Sequence, residues 1–275
     1  TYYYRLSAID SSGLESEKTL DVYSVPRPQK YEVDLNETGD FISIQSAINY
    51  ATEDDTLIIH NGTYSENIDL LGKALIIGSE YFTSGDPAHI ASTVIDGQLN
   101  GSTITISDIS GTILKLVGFT IQNGNASDGG AIYCTNSNPV FENLIIKNST
   151  ASNSGGGIYL HNNSNAVLNK LTIINNSAQN GGGIYIDSSN PTITNAVIYD
   201  NYAGLFGGAM QISNSNPTIG NSTIIANNGQ FQGGALYLTG GSEVVVTNSI
   251  LYNNIPQQLF INDPEDSLTV SFSNV

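Results

Sequence analysis

The sequence predicts an all-β solenoid: a parallel β-helix of three-sided coils, about 26 residues each, running over residues 31–275. Two columns and a composition predict it. Gly-Gly-Ala-Ile-Tyr at Gly129, Gly-Gly-Ile-Tyr at Gly156 and Gly182, Gly-Gly-Ala-Met at Gly207 and Gly-Gly-Ala-Leu-Tyr at Gly233 align so that Ile132, Ile158, Ile184, Met210 and Leu236 fall in one column, 26 residues apart at every step. The column two residues on, Cys134, Leu160, Ile186, Ile212 and Leu238, keeps that period. A fixed period with strand-type alternation inside each unit marks a stack in which each unit buries its apolar face only against its neighbours. The composition agrees, with 28 Gly, 12% charged residues and no Trp.

Charge excludes one class of partner. Lys and Arg total 8 against 25 Asp and Glu, a formal net charge of −17, and nucleic-acid binding needs a basic stripe that releases counterions from phosphate. The acid is concentrated before Ile109, which leaves the repeat walls nearly neutral. The one cysteine, Cys134, sits in an apolar column and reads as a small buried hydrophobe. No run of about 18 apolar residues is present to span a membrane.

The elements follow in chain order. Residues 1–25 alternate polar and apolar, turn at Asp10 to Gly13 and resume as a second strand, which predicts a hairpin. Residues 26–30 read as a linker stiffened by Pro26 and Pro28. Ile44, Ala47, Ile48 and Ala51 then lie at i, i+3, i+4 and i+7, one apolar stripe of a short helix. Before the strand that starts at Asp54-Asp55-Thr56, such a helix would lie over the open end of a stack and hide an edge that would otherwise pair with other chains.

Within a repeat, Gly183 to Asp187, Pro191 to Thr194 and Ala196 to Tyr199 read as three short strands, giving a triangular coil whose successors pair in parallel. The preference for right-handed crossovers between parallel strands makes the helix right-handed. Neither the six-residue period of a left-handed hexapeptide helix nor the Leu-x-x-Leu-x-Leu pattern of a leucine-rich repeat occurs. Asn123, Asn148, Asn176, Asn201, Asn227 and Asn253 recur after the third strand, where Asn tolerates left-handed angles and its amide can bond the equivalent amide one coil away. Asn148-Ser-Thr also forms a glycosylation sequon.

Alternation sends Tyr133, Tyr159, Tyr185, Gln211 and Tyr237 outward on one wall, with Ala131, Gly157, Gly183, Ala209 and Ala235 as an expected small-residue shelf beside them. Two readings stay open for these tyrosines. They are cross-strand partners that stabilise the sheet, or a platform for the apolar face of a sugar chain. The next outward column, Thr135, His161, Asp187, Ser213 and Thr239, places His161 one coil from Asp187, a candidate acid–base pair. Lys115, Lys147 and Lys170 read as solvated residues. Calcium needs several converging oxygens; Asp263-Pro-Glu-Asp266 and Asp96-Gly97 offer carboxylates at spacings that specify no site, so no cofactor is expected beyond an occasional Ca²⁺.

The first strand pair, with its Tyr-rich strand, Ala-x-Asp-x-x-Gly turn and following Glu-Ser, resembles the last two strands of a fibronectin type III domain. The Ile-Gln-x-Ala-Ile helix, the Asp-Thr-Leu strand and Gly62-Thr63-Tyr64-x-Glu66 resemble the N-terminal cap of the pectin-lyase-like β-helix superfamily, and the Gly-Gly-Ala-Ile repeats resemble those of bacterial polymorphic outer-membrane proteins. The resemblance implies a secreted or cell-surface protein, a polysaccharide or cell-surface glycan as partner, and either a non-catalytic glycan-binding or adhesive module or a polysaccharide lyase or hydrolase. The catalytic signatures of pectate lyases, polygalacturonases and pectin methylesterases are absent: there is no Asp pair with Gly-His-Gly, no Arg-Ile-Lys, and no arginine after Arg27 to neutralise a uronate carboxylate. The chain opens at Thr1 and stops at Val275 in what read as strands, so it is expected to be a monomeric piece of a longer multidomain protein.

Overall fold

The computed structural model describes residues 2–4, 7–17, 22–24, 28–110 and 114–275. Its body is a parallel solenoid with three long ladders: a ten-stranded sheet and two eight-stranded sheets. We name these by wall. The first wall runs from Lys30–Val33 to Ser267–Ser271, the second from Gly62–Ser65 to Ile250–Tyr252, and the third from Ile68–Asp69 to Leu259–Ile261. Every pairing within them is parallel, because each coil adds one strand to each wall before climbing to the next.

The coil is not purely three-sided. A fourth, five-stranded ladder, from Asn125–Asp128 to Asn228–Gly229, fills the corner between the second and third walls. Its residues Thr-Ala-Ser, Ser-Ala-Gln and Tyr-Ala-Gly carry little apolar alternation, so periodicity alone did not separate them from a turn. The 26-residue step holds throughout the third wall from Ile132 to Leu236, whereas the first-wall partners Lys115↔Val140 and Val140↔Val167 lie one residue to either side of it. Turns absorb the difference.

The predicted inward columns are buried: Ile132, Ile158, Ile184, Met210 and Leu236, and likewise Cys134, Leu160, Ile186, Ile212 and Leu238, are all at 0% exposure. Burial pushes the Cys134 thiol up to about 12, so it stays protonated and inert at neutral pH.

The end cap forms as its stripe predicts. The helix Ile44–Tyr50 buries Ile44, Ala47 and Ile48 and packs on the first strands of the first and third walls. Its N-terminus is closed twice: Ser43 Oγ accepts from Ser46 N at 3.1 Å, and the Glu66 carboxylate accepts from Ile44 N and Gln45 N, both at 2.9 Å. Lys73 Nζ donates to the carbonyls of Ile48, Asn49 and Ala51 at the other end. An anion at the amino end and a cation at the carboxyl end complement the helix dipole. This gives Glu66 of the Gly-Thr-Tyr-x-Glu segment a structural job.

One excursion is an addition that the repeat does not announce. The short helices Tyr81–Ser84 and Ala88–Ser92 interrupt the coil between the first and second walls. Near the amino terminus, Tyr2–Tyr4 pairs antiparallel with Val22–Ser24, and Asp10 organises the turn by accepting from Ser12 N and Leu14 N. The hairpin therefore forms; Pro26 and Arg27 of the expected linker lie outside the described residues.

Polar ladders hold the corners. Between the third and first walls, Ser164 N, Ser189 N and Ser215 N each donate to the serine hydroxyl one coil on, Ser189, Ser215 and Ser242, at 2.9, 3.0 and 3.2 Å. After the second wall, Asn176, Asn201, Asn227 and Asn254 form a buried amide ladder in which backbone N and side-chain Nδ2 of one residue both donate to Oδ1 of the next, at 2.9–3.1 Å. Here the expected asparagine column is corrected. Asn123, Asn148 and Asn253 take left-handed angles (φ 57°, 54° and 55°), while Asn176, Asn201 and Asn227 belong to the neighbouring buried column. The two roles sit on adjacent residues, since a left-handed residue turns the chain and the next one faces the interior.

Candidate functional site

The glycine pair before each third-wall strand brings the corner ladder hard against that wall. Gly181 has φ 59°, a region that costs other residues strain, and a Cβ on Gly182 would stand 2.4 Å from the Tyr202 carbonyl oxygen. The chain folds back tightly there. Asp128, Ser154, Asn180 and Phe206, register partners at the end of the corner ladder, thus lie just before the glycines that lead into the outward file of Tyr133, Tyr159, Tyr185, Gln211 and Tyr237.

That file is real and in register. Tyr133 and Tyr159 stack with centroids 5.6 Å apart and planes 27° from parallel; Tyr159 and Tyr185 lie 5.5 Å apart at 32°. Three details of the expected platform change. Each ring turns its face to the next ring, so solvent meets edges and hydroxyls, and no flat apolar face is laid out along the wall. The shelf is absent: Ala131, Ala209 and Ala235 are at 0% exposure, and a Cβ on Gly157 or Gly183 would stand 2.6 or 2.7 Å from the Gly183 or Ala209 carbonyl oxygen of the next coil, with Asn176 or Asn201 at 3.2–3.3 Å. Those small residues face the interior, packed against the backbone of the next coil and beside the amide ladder. Tyr237 and Gln211, expected outside, are only 6% and 7% exposed. Phe206 reaches over from the corner to stack on Tyr237 at 4.6 Å, and Phe260 stacks on its far side at 5.5 Å. The open part of the file is Tyr133, Tyr159 and Tyr185, all half-buried.

His161 and Asp187 are brought together as the register requires. His161 Nδ1 lies 3.0 Å from Asp187 Oδ2, the imidazole stacks on the Tyr159 ring at 5.6 Å, and Asp187 Oδ1 also accepts from Ser188 Oγ at 3.2 Å. Burial raises the Tyr159 and Tyr185 phenols, and the Asp128 and Asp187 carboxylates push both further up. Both stay protonated hydrogen-bond donors at neutral pH.

The three lysines lie off this wall's outward file. Lys115 pairs with Glu142 at 2.7 Å on the first wall, Lys147 ends a second-wall strand, and Lys170 occupies a left-handed turn. Burial raises the Asp96 carboxyl, but hydrogen bonds from Gln122, Gln98 N and Asn123 outweigh it and leave the group below its usual value. Asp266 caps the serine corner by accepting from Ser242 N at 2.7 Å, and Asp263 accepts from Gly240 N at 2.7 Å. Among the described residues no group of three or more His, Cys, Asp and Glu is arranged to hold a metal ion. Sequence reasoning missed a second titratable cluster, in which Glu80 sits 3.5 Å from His60 and 3.4 Å from His89, with Glu32 3.1 Å from the other His60 nitrogen. It ties the helical excursion to the first wall; the single-copy insertion left no period to reveal it.

No helix among the described residues is long and apolar enough to cross a membrane. Comparison with solved structures places the chain beside pectin methylesterases. That of Erwinia chrysanthemi superposes with a TM-score of 0.57 at 14% identity, covering 91% of this chain and 90% of that one. That of Yersinia enterocolitica gives 0.56 at 14%, covering 85% and 90%, and a pectin methylesterase in complex with a hexasaccharide gives 0.55 at 15%, covering 88% and 82%. Identities this low establish the shared fold. No curated protein sequence matches the chain. Residues 90–251 match the family described as Right handed beta helix region, and since that match takes in more than half of the chain, the protein belongs to the right-handed β-helix family.

Proposed function

We propose that this chain is a non-catalytic polysaccharide-binding module of a secreted or cell-surface protein, with its ligand lying along the third wall. The observation that carries the reading is the open file of Tyr133, Tyr159 and Tyr185, which presents one phenol ring per coil, with centroids 5.5–5.6 Å apart. A regular row of hydroxyls suits a regular polymer, and its donors are held protonated. Binding then rests on hydrogen bonds and ring edges. The hairpin upstream fits a fibronectin-type module on the same chain. The pectin methylesterase neighbours act on a polysaccharide with the same scaffold, which supports the substrate class but not the reaction.

The test removes hydroxyls without disturbing the stack. Tyr159→Phe with Tyr185→Phe should weaken binding by about 1–3 kcal/mol, the scale of two lost hydrogen bonds, or roughly 5- to 150-fold in Kd, with an unchanged melting temperature. Affinity electrophoresis against a polysaccharide panel reads the first and circular dichroism the second. The reading fails if the wild type retards on no polysaccharide or if the double variant binds equally well. Tyr159→Ser with Tyr185→Ser removes the stack as well and should cost about 0.2–1 kcal/mol of stability per lost cross-strand pair.

A second reading has its own observation. Asp187 engages His161 Nδ1, while Nε2 makes no hydrogen bond among the described residues, which is how a general base is oriented. An enzyme of the pectin-lyase-like type built on this pair would release unsaturated ends, reducing ends or methanol from pectic substrates, and His161→Gln would abolish that release. No product from any of them would dismiss it.

A further inference from the structure

We propose that the second wall is where two copies of this chain meet, face to face with their helix axes antiparallel. The outward face of this wall is apolar over consecutive coils. Thr172, Val197, Thr223 and Ile250 form one file and Ile174, Tyr199, Ile225 and Tyr252 the other, in register from strand to strand. The residue between the two files, Ile173, Ile198, Ile224 or Leu251, is buried in the core. No Lys, Arg, Asp or Glu occurs in these strands. Polar residues rim the face: Lys147 on the coil below, Lys170 and Asn248 in left-handed turns before the strands, and Asn175, Asp200 and Asn253 in left-handed turns after them. A contiguous apolar face with a polar rim marks an interaction site, which scattered exposed apolar residues do not.

Size, charge and area together name a second copy as the occupant. The file Ile174, Tyr199, Ile225, Tyr252 alternates small and large, and its two tyrosines lie two coils apart, about 9.6 Å, with Ile225 between them. A two-fold axis parallel to the strands, passing between the Tyr199 and Ile225 coils, reverses the coil order and keeps each file opposite itself. Tyr199 then lies over Ile225 of the second copy and Tyr252 over Ile174 of the second copy, each large side chain against a small one. In the other file Val197 meets Thr223 and Ile250 meets Thr172. This is the self-complementarity that an isologous contact requires. Two chains of net charge −17 repel one another, and here they approach without opposing like charges: the same axis sets Lys170 against Asn248 and Asp200 against Ala226 of the second copy. Val197, Ile250 and Tyr252 are 40%, 48% and 62% exposed and the rest of the two files is half-buried. Side chains of this size and exposure present on the order of 500 Å². A symmetric contact covers that face twice, on the order of 1,000 Å² in all, the lower bound for a specific interface. The expected monomer thus gives way to a reversible dimer.

Sedimentation equilibrium of the whole chain, from micromolar to millimolar, should show a monomer–dimer equilibrium that tightens with added salt, because salt screens the repulsion between two anions. Two matched variants locate the contact. Val197 on the second wall and Val167 on the first are both 40% exposed. Val197→Asp should weaken the dimer about tenfold or more, since symmetry places two unpaired carboxylates in one contact, whereas Val167→Asp should stay within about twofold; circular dichroism checks that both fold. The register is read by cross-linking. Thr172 and Ile250 are three coils apart, about 14 Å, too far for a disulfide within one chain, but the two-fold axis brings each against the other residue of the second copy. Thr172→Cys with Ile250→Cys should therefore give disulfide-linked dimers on oxidation with copper phenanthroline, while either single variant should not; Cys134 is buried and does not compete. A chain that stays monomeric over the whole range, equal effects of the two aspartates, or single-cysteine variants that link as readily as the double one would overturn the proposal.

Discussion

Met210→Asp is expected to leave no folded stack. Met210 is fully buried between Ile184 and Leu236 in the column that runs up the interior. An unpaired carboxylate there loses its hydration with no partner to replace it, which costs several kcal/mol even after the group protonates. Against a total stability of about 5–15 kcal/mol for a typical domain, that one term is decisive. The damage spreads, because each coil of a solenoid is stabilised through its interfaces with the coils on either side. Circular dichroism and a thermal melt should show lost β-signal and no cooperative transition. Met210→Leu, which conserves volume and polarity, should cost less than about 1.5 kcal/mol. A soluble Met210→Asp protein with the wild-type melting temperature would refute the inward placement of that column.

The next largest effect is expected at Asn201. Its Oδ1 accepts from both Asn176 N and Asn176 Nδ2, at 3.0 and 3.1 Å, and its Nδ2 donates to Ile173 O, Tyr199 O and Asn227 Oδ1 at 2.9–3.1 Å. With 1% of its surface exposed, no water stands ready to replace these bonds. Asn201→Ala takes the acceptor from Asn176 N and Asn176 Nδ2 and a donor from the carbonyls of Ile173 and Tyr199 and from Asn227 Oδ1. At about 1–3 kcal/mol for each unsatisfied group, the loss is about 3–6 kcal/mol, enough to lower the melting temperature by roughly 10 °C or more for a chain of this size. Amide exchange should quicken first at Asn176 and its neighbours, where bonds are lost. Asn153→Ala, on an exposed residue whose Nδ2 donates to Ser127 Oγ at 2.9 Å, serves as the comparison and should move stability by about 0.5 kcal/mol or less. If both substitutions shift the melting temperature equally, the buried ladder is not the corner's main support.

Much of the architecture was legible because its signal is local and repeated. Ile132 and Cys134 are two residues apart in every coil, so alternation alone assigns them inward and Tyr133 outward. The cap helix was legible for the same reason: its apolar stripe lies within eight residues. The His161–Asp187 contact followed once the register was known, since parallel pairing places residues of one column side by side.

The rest depended on contacts between residues about 25 apart in sequence, in corners whose polar residues carry no hydropathy pattern. Asn175 and Asn176 are identical neighbours, yet one turns the chain at φ 54° and the other is buried in the ladder; only the corner geometry separates them. The Gly157 and Gly183 column faces inward, where the next coil's backbone carbonyl comes within 2.6–2.7 Å of where a Cβ would stand. Tyr237 is covered because Phe206 crosses from the corner strand, and the tyrosine rings turn their faces to one another because stacking on the adjacent coil hides more apolar surface than facing water. By itself the sequence determined the period, the parallel stack, the inward columns and the outward tyrosines, all set by apolar alternation along a single strand. Which polar groups are buried, which rings stay open and which charges face them were decided only by the tertiary structure, because each depends on what the neighbouring coil places within hydrogen-bonding or stacking distance.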